Sequence, residues 1–247
     1  EKVIIEMINF LHKKTGIKKL CLAGGVALNC AANQKIMNLE YIDDLYIQPA
    51  SNDEGVAIGA TYLVAKKHGL IIHPMDSVYV GPSYTNDQIK DTLDTLNLKY
   101  HYEENPALFA AKKVSENNVI GWFQGKMEIG PRALGARSIL ANPTHPDMRD
   151  IVNKKIKFRD TFRPFCPSVI EEDMSKYFIG KQAIAPHMTI NYDVVPSMIS
   201  KIPSVVHVDN TARIQTVNQN QNKLYYDFLI HLKSLIGVGV CLNTSFN

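Results

Sequence analysis

The sequence has no long hydrophobic run and no recognisable targeting signal. Its apolar stretches, such as Val194-Val195 and the glycine-interrupted segment 235–242, fall far short of the ~20 residues that span a bilayer. The N-terminal segment EKVIIEMINF lacks the basic start and the small-residue cleavage site of a secretory leader. We therefore expect a cytoplasmic protein with no membrane partner.

Paired cysteines are also absent. The chain has four cysteines, and none belongs to a C-x-x-C pair or to a histidine/cysteine group at metal-ligand spacing. Zinc fingers and a disulfide framework are therefore not expected, and each thiol is predicted to be a small buried side chain. These residues are Cys21, Cys30, Cys166 and Cys241.

Positive charge is concentrated in one segment. Between Lys126 and Arg163, nine lysines and arginines stand against four aspartates and glutamates. That segment carries +5, and because the whole chain carries +3, the remainder carries −2. The excess favours an anionic ligand such as a phosphorylated small molecule, a nucleotide or a nucleic acid. A solvated basic surface is the alternative.

The N-terminal segment alternates helix and strand signals. Apolar residues repeat at helical spacing from Val3 to Leu11, and the strand-like LCLA and DLYIQ are followed by the helical VALNCAANQKIMNL and EGVAIGATYLVAKKH. This β-α-β-α order predicts an α/β domain with parallel strands. Because no strand precedes the first helix, the chain is expected to begin within a domain.

The C-terminal segment mixes runs of strands with separate helices. Residues 69–82, with two X-Pro turns, are predicted to be a linker or a domain boundary. Helices are expected over 86–97, 106–117, 146–155 and 222–235, and strands in VIGWF, RSILANP, HMTINYDVV, VVHVD, ARIQTV and VGVCLN. The fold class is therefore α/β followed by α+β. Because the chain stops in the polar loop CLNTSFN, it is expected to be a fragment at both ends.

Two strand–helix junctions in the N-terminal segment carry candidate ligand-binding residues. Gly24 and Gly25 would let a phosphate approach the backbone at a helix N-terminus, although an ordinary tight turn explains them as well. At the second junction, Asp53 would cap a helix through its carboxylate or ligate a metal.

The basic segment contains two motifs with stiffened arginines. Arg132 in KMEIGPRALGARS and Arg163 in KIKFRDTFRPFCPS each neighbour a proline, which limits backbone freedom. Lys157 and Arg159, at i and i+2, would point to one side of an extended strand. Because a guanidinium offers parallel donors to phosphate, a phosphate or polyphosphate site is predicted. The neighbouring phenylalanines, which are Phe158, Phe162 and Phe165, are expected in the core, with base stacking as the alternative.

A third motif, HVDNTARIQ, places polar residues at alternate positions. In an extended strand His207, Asp209, Thr211 and Arg213 would share one face, either as a polar surface or as part of a site.

Together these segments resemble the NodU/CmcH-type O-carbamoyltransferases. The motifs LAGGVALNCAAN, NDEGVAIGA, EIGPRALGARSILANP, KFRDTFRPFCPSV, HVDNTARIQTV and LNTSFN occur in the order found in that family. The resemblance implies that residues 1–75 are the C-terminal part of an actin-like ATPase (ASKHA-type) carbamoyl-transfer domain. It also implies that residues 76–247 are a YrdC-like α+β domain that binds carbamoyl phosphate and ATP and lacks its C-terminal end.

The resemblance also implies a chemistry. The YrdC-like domain would convert carbamoyl phosphate and ATP to carbamoyl-adenylate, and the actin-like domain would pass the carbamoyl group to a hydroxyl of a sugar, an antibiotic or a nodulation-factor-like acceptor. Lys157, Arg159 and Arg132 are the implied catalytic residues. The same three, with five others, would bind carbamoyl phosphate and ATP; the others are Lys126, Arg137, Arg213, Ser245 and Asn247.

Further expectations come from the actin-like relatives. Gly24, Gly25 and Asn29 are implied to bind the adenylate, and Asp53 to ligate a divalent metal ion, magnesium or iron. Because no H-x-x-x-H pair occurs, poor metal binding and incomplete activity are expected, with the N-terminal half of the domain as a missing partner. The competing hypothesis is an RNA-binding YrdC-like module without transferase activity.

Overall fold

The computed structural model describes residues 1–246 as a mixed α/β protein with several sheets. Its first elements alternate as predicted. Helices and strands follow in the order α1 (Lys2–Thr15), β1 (Lys19–Leu22), α2 (Cys30–Met37), β2 (Asp44–Ile47) and α3 (Glu54–Lys67). Strands β1 and β2 pair in parallel, as expected for a β-α-β unit.

The C-terminal segment is α+β. Its elements are α4 (Asn86–Thr95), α5 (Pro106–Ser115), β3 (Ile120–Phe123), β4 (Arg137–Ala141), α6 (Met148–Val152), β5 (Cys166–Ile170), α7 (Met174–Tyr177), β6 (Phe178–Ile179), β7 (Asn191–Val194), α8 (Pro196–Ile199), β8 (Thr211–Arg213), β9 (Gln215–Val217), α9 (Lys223–Ile236) and β10 (Val240–Ser245).

A five-stranded sheet organises this segment. Its order is β3-β4-β10-β5-β9, so the last strand of the chain lies in the middle of the sheet. Strand β10 pairs antiparallel with both β4 and β5. A three-stranded sheet, β6-β7-β8, lies beside it. Because β10 is central, its first four side chains, Val240 to Asn243, are buried and can be held rigidly from both neighbours.

Local sequence signals explain several helix ends. Thr85 and Gln88 form a reciprocal capping box at the start of α4, and the Asn222 side chain accepts a hydrogen bond from Tyr225 N at the start of α9. Helix α9 ends at Gly237, whose φ of 78° is the left-handed conformation that glycine adopts at low cost. Helices α5 and α9 cover one face of the large sheet around Trp122 and Phe228.

The N-terminal and C-terminal segments share a core. Buried residues of α1, α2 and β2 belong to the same apolar cluster as residues of β4, β5 and β7, and partly buried leucines of β1 pack against it. Polar contacts also join them, because the Asn33 side chain donates to the Thr189 carbonyl at 2.8 Å and the Gln182 side chain donates to Asp44 at 2.9 Å. Residues predicted to act in both segments are therefore held in one packed structure.

Two predicted strands are not strands. Residues 153–157 form a π-helical turn, and Phe158 after it has a φ of 48°. Lys157 and Arg159 therefore do not alternate along an extended chain. The segment VVHVD is also wrong as a strand, because His207 N donates to the Thr211 carbonyl and closes a turn.

The structure corrects two burial predictions. Cys166 and Cys241 are buried as expected, whereas Cys21 is exposed and Cys30 is only half-buried. Two of the three phenylalanines predicted in the core are on the surface: Phe158 is 81% and Phe162 is 74% exposed, while Phe165 is buried.

Across residues 1–246, none of the helices has both the length and the apolar character needed to cross a membrane.

Candidate functional site

A cavity of about 130 Å³ lies where the strand ends of the large sheet meet the basic segments. Arg132 reaches it from the loop before β4, Arg159 from the turn after the π-helical segment, and Arg213 from the end of β8. Three arginines that are far apart in sequence thus line one space. The cavity is also lined by Cys166, Met188, Asn243, Thr244 and Ser245, among others. We call it the arginine cavity.

Arg132 is held in the wall of this cavity without a partner for its side-chain Nε. That nitrogen is buried and has no hydrogen-bond acceptor among residues 1–246. Burial and the neighbouring charge of Arg213 lower the pKa of the Arg132 guanidinium. Because a buried unpaired donor is costly, an anion in the cavity would supply what the protein lacks.

Arg159 is aimed by a buried asparagine. Its Nε donates to Asn153 Oδ1 at 2.7 Å, and the Asn153 Nδ2 in turn donates to the Arg163 carbonyl at 2.9 Å. The guanidinium also lies over the Phe165 ring, 4.8 Å from the ring centre. Burial and the charge of Arg163 lower the pKa of Arg159. A cation fixed in this way loses little entropy when a ligand binds.

Arg213 contacts a thiol rather than a carboxylate. Its Nε and Nη2 lie 3.0 and 2.8 Å from Cys166 Sγ. Among the ion pairs of the described residues, none joins Arg132, Arg159 or Arg213 to an aspartate or glutamate. The arginine cavity is therefore a site of uncompensated positive charge, which suits a polyanion.

Lys157 and Ser245 meet at the edge of the same cavity. Lys157 Nζ donates to the Ser245 carbonyl at 2.6 Å and lies 3.4 Å from Ser245 Oγ. Burial and Arg159 lower the pKa of Lys157. The lysine and serine that the sequence placed 88 positions apart are therefore neighbours. Asn247, predicted to act with them, lies outside the described residues.

Glu128 shapes the loop that carries Arg132, and sequence reasoning missed it. Its Oε1 accepts hydrogen bonds from the backbone N–H groups of Leu134, Ala136 and Arg137 at 2.6, 3.2 and 3.3 Å. Glu128 is only 6% exposed, so these bonds are shielded from water. The signal was present as a single carboxylate within a basic, glycine-rich turn.

A buried network on β10, also missed from sequence, backs the cavity. Asn243 Nδ2 donates to the Ala133 carbonyl at 3.0 Å and to Ser168 Oγ at 3.0 Å. Ser168 Oγ donates to Gln215 Oε1, and Gln215 Nε2 donates to the Leu134 carbonyl, both at 2.8 Å. The loop of Arg132 is thus tied to three strands of the sheet.

Arg137 and Lys126 lie apart from the arginine cavity. Arg137 Nη1 donates to the carbonyls of Gln124 and Ala136, and its guanidinium lies over the Phe123 ring at 3.6 Å. Much of its donor capacity therefore serves the fold. It does line a neighbouring, more open cavity of about 240 Å³, which shares Arg132 and Ser245 with the first. Lys126 is exposed and lines neither cavity.

The glycine pair in the N-terminal segment is exposed at the strand–helix junction, as its sequence position predicts. Gly24 has a φ of 97°, and its N–H donates to the Ser51 carbonyl at 2.6 Å. Asn29 caps α2 by accepting from Ala32 N at 3.1 Å. The next residue, Cys30, interacts electrostatically with Arg213, so this junction lies close to the arginine cavity.

Asp53 stands at the N-cap position of α3, but its side chain makes no capping hydrogen bond. The expectation that its carboxylate caps the helix is therefore wrong. Over residues 1–246, no group of three or more histidine, cysteine, aspartate or glutamate side chains could hold a metal ion. The side chains around Asp53 thus do not form a metal site, and its assignment as a ligand stays a prediction.

Comparison with known proteins gives two family matches along the chain. Residues 1–62 match the model described as "Carbamoyltransferase N-terminus" and residues 111–247 the model described as "Carbamoyltransferase C-terminus". Similar proteins include Nodulation protein NolO of Bradyrhizobium diazoefficiens, 37% identical over 257 residues, and Nodulation protein U of Sinorhizobium fredii, 33% identical over 252 residues. An uncharacterized protein of Synechocystis is 39% identical over 277 residues.

Each of these alignments covers 100% of this chain. They cover 46% of NolO, 43% of Nodulation protein U and 45% of the Synechocystis protein. The chain thus spans less than half the length of these relatives.

Proposed function

Because the chain belongs to the carbamoyltransferase family, we propose that the arginine cavity is where its carbamoyl donor binds and is activated. The observation that carries the proposal is the convergence of Arg132, Arg159 and Arg213 without a carboxylate partner among the described residues, with a buried Arg132 Nε left unpaired. Carbamoyl phosphate offers phosphate oxygens to such donors. It is also small enough for a cavity of about 130 Å³.

The proposed reaction uses ATP as a second substrate. Water cleaves carbamoyl phosphate to carbamate and phosphate. A carbamate oxygen then attacks the α-phosphorus of ATP, and pyrophosphate leaves as carbamoyl-adenylate forms. Arg132, Arg159 and Lys157 act as catalytic residues by neutralising oxygens that gain charge, which is the main contribution a protein makes to such transfers.

Two adjoining cavities support a site for two substrates. The arginine cavity would hold carbamoyl phosphate, and the neighbouring cavity lined by Arg137 would hold part of ATP. Arg132 and Ser245 line both, so they would contact both substrates. Lys126 and Asn247 belong to the same proposed binding set on the basis of the family motifs.

The proposed second step transfers the carbamoyl group to an acceptor. A hydroxyl oxygen attacks the carbamoyl carbon, and AMP leaves. We place the adenylate at Gly24, Gly25 and Asn29, whose junction lies near Arg213 through Cys30. No step is assigned to a metal, because the residues around Asp53 do not form a ligand set.

We further propose that the N-terminal segment packs against a missing N-terminal half of an actin-like domain, the partner that the family resemblance implies. Strands β1 and β2 form a two-stranded parallel sheet, although parallel sheets are normally covered on both faces. Val3, Met7 and Phe10 of α1 are 57–71% exposed. Co-purification with the separately produced part of the Synechocystis relative that this chain does not cover tests this. Failure to associate, with both parts folded, contradicts it.

The test of the activation step is carbamoyl-phosphate-dependent exchange of labelled pyrophosphate into ATP. We expect exchange that requires carbamoyl phosphate and falls about 10- to 100-fold in Arg132→Ala, the loss expected for charge-assisted hydrogen bonds. Arg149→Ala is a matched control, because Arg149 is half-buried but does not line either cavity. Exchange that does not depend on carbamoyl phosphate would contradict the mechanism.

The alternative, an RNA-binding module without transferase activity, is not favoured by the family match. It predicts binding whose affinity falls steeply with salt, since many phosphates would be contacted. A small-molecule anion in a compact cavity predicts a shallow dependence.

A further inference from the structure

Asn243 lines the arginine cavity, and its hydrogen bonds show which atom of its side-chain amide is the oxygen and which is the nitrogen. The residue is 1% exposed and lies on the central strand β10. Its Nδ2 faces the Ala133 carbonyl at 3.0 Å. Because a backbone carbonyl can only accept, the amide nitrogen and not the amide oxygen must face Ala133.

The Leu134 carbonyl fixes the orientation of the Gln215 amide by the same reasoning. Gln215 Nε2 donates to the Leu134 carbonyl at 2.8 Å, so Gln215 Oε1 must face Ser168 and Asn243. Ser168 Oγ donates to that oxygen at 2.8 Å. The donor and the acceptor of each hydrogen bond in the network are therefore known, and none of its donors points to Asn243 Oδ1.

Asn243 Oδ1 is a buried acceptor without a donor among the described residues. It belongs to a residue lining the same cavity as Arg132, Arg159 and Arg213, whose guanidiniums can only donate. A ligand that satisfies both the arginines and this oxygen must carry acceptors at one end and an N–H or O–H donor at the other.

Inorganic phosphate does not meet that description, because its only donor is a hydroxyl on the same phosphorus as the oxygens that the arginines bind, so it has no separate end that carries a donor. A carbamoyl group does, because its amino group donates. We propose that Asn243 Oδ1 accepts a hydrogen bond from the carbamoyl amino group and selects carbamoyl phosphate over acyl phosphates that have a methyl group there. The proposal rests on the proposed function and adds to it a specificity-determining residue.

The size of the effect follows from the unpaired acceptor. A ligand with a methyl group leaves Asn243 Oδ1 buried and unpaired, whereas an amino group pairs it. Sites built to hydrogen-bond a substrate group reject analogues that lack it. We therefore expect discrimination of at least about 10-fold in binding.

Two stable ligands isolate this contact. Phosphonoacetamide and acetonylphosphonate differ only in having an amino or a methyl group on the carbonyl carbon, and neither hydrolyses as carbamoyl phosphate does. Calorimetric titration of the 247-residue chain is expected to show at least about 10-fold tighter binding of phosphonoacetamide. In Asn243→Ala the two affinities should come within about threefold of each other, on top of any loss that both share with inorganic phosphate because the Arg132 loop has lost the Asn243 bond.

Asn142→Ala is the matched control. Asn142 is 4% exposed and makes its own hydrogen bonds to Asn117 and Thr144, but it does not line the arginine cavity. This variant should keep the preference for the amide. Asn243→Ser, whose hydroxyl can still donate toward the Ala133 carbonyl but lacks Oδ1, replaces the alanine variant if that variant does not fold.

Three results are decisive. Equal affinity of the wild-type chain for the two phosphonates would overturn the role of Asn243 while leaving the proposed function intact. An equal loss of all three anions in the Asn243 variants would also overturn it, since a purely structural residue behaves in that way. If the wild-type chain binds inorganic phosphate but neither phosphonate nor carbamoyl phosphate, the proposed function itself fails.

Discussion

Glu128 offers the sharpest test of how the loop of Arg132 is held. Replacing it with alanine removes one carboxylate oxygen that three backbone N–H groups share, those of Leu134, Ala136 and Arg137. Each unpaired buried donor costs about 1–3 kcal/mol, and relief from burying a charge offsets part of the total. We expect Glu128→Ala to lower the free energy of unfolding by about 3 kcal/mol. Glu128→Gln keeps an acceptor oxygen and should cost only about 1 kcal/mol.

Urea unfolding followed by tryptophan fluorescence measures these changes. Trp122 is the single tryptophan, and its indole N–H donates to the Gly135 carbonyl in the same loop at 2.9 Å. Glu116→Ala is the control, because the side-chain contacts of Glu116, to Lys113 at 3.0 Å and to Asn118 at 3.4 Å, are on the surface, and their loss should cost less than about 0.5 kcal/mol. If Glu128→Ala is no more destabilising than Glu116→Ala, the carboxylate does not hold the loop.

Three further predictions concern stability in urea. Gly135→Ala should lower the free energy of unfolding by more than about 2 kcal/mol, because φ is 97° and a Cβ would lie 2.1 Å from the Tyr225 ring. Gly237→Ala, where a Cβ would meet open space, should lower it by about 1 kcal/mol. Equal losses in the two variants would contradict the packing of Gly135 against Tyr225. Burial lowers the pKa of His187 from 6.5 to about 4, so between pH 6.5 and pH 4 this histidine binds more protons in the unfolded chain than in the folded one. His187 should therefore lower the free energy of unfolding by roughly 2 kcal/mol between pH 7 and pH 5. His187→Gln should reduce that decline, and an unchanged pH profile would refute it. Lys233→Met should lower the free energy of unfolding by about 1–2 kcal/mol, because it removes one of the cations paired with the buried Asp173. Lys223→Met, which removes a more exposed ion pair, should lower it by less than about 0.5 kcal/mol. The reverse order would be inconsistent with the burial of Asp173.

The order of helices and strands followed from the sequence because local signals were strong. Apolar repeats such as that of α1 predicted most elements. The segment around Lys157 was predicted wrongly, because the left-handed Phe158 and the bond from Arg159 N to the Asn153 carbonyl depend on tertiary structure. Alternation of polar residues likewise suggested a strand through His207, where the chain turns.

The candidate site was only partly predictable. Charge counting found Arg132 and Arg159, and the family motifs found Arg213 and Ser245. Neither source pointed to Glu128 or Asn243, because the role of each depends on which backbone groups the fold brings to it. The surface position of Phe162 was also missed, since its neighbours Thr161 and Arg163 give no indication of which way an aromatic side chain between them faces.

Calorimetric titration of the chain with carbamoyl phosphate, in the wild type and in Arg132→Ala and Arg149→Ala, tests most directly whether the arginine cavity binds the carbamoyl donor. We predict saturable one-site binding in the wild type and in Arg149→Ala, and an affinity about 10- to 100-fold weaker in Arg132→Ala. Binding that is unaffected by Arg132→Ala, or that is lost equally in both variants, would contradict the account.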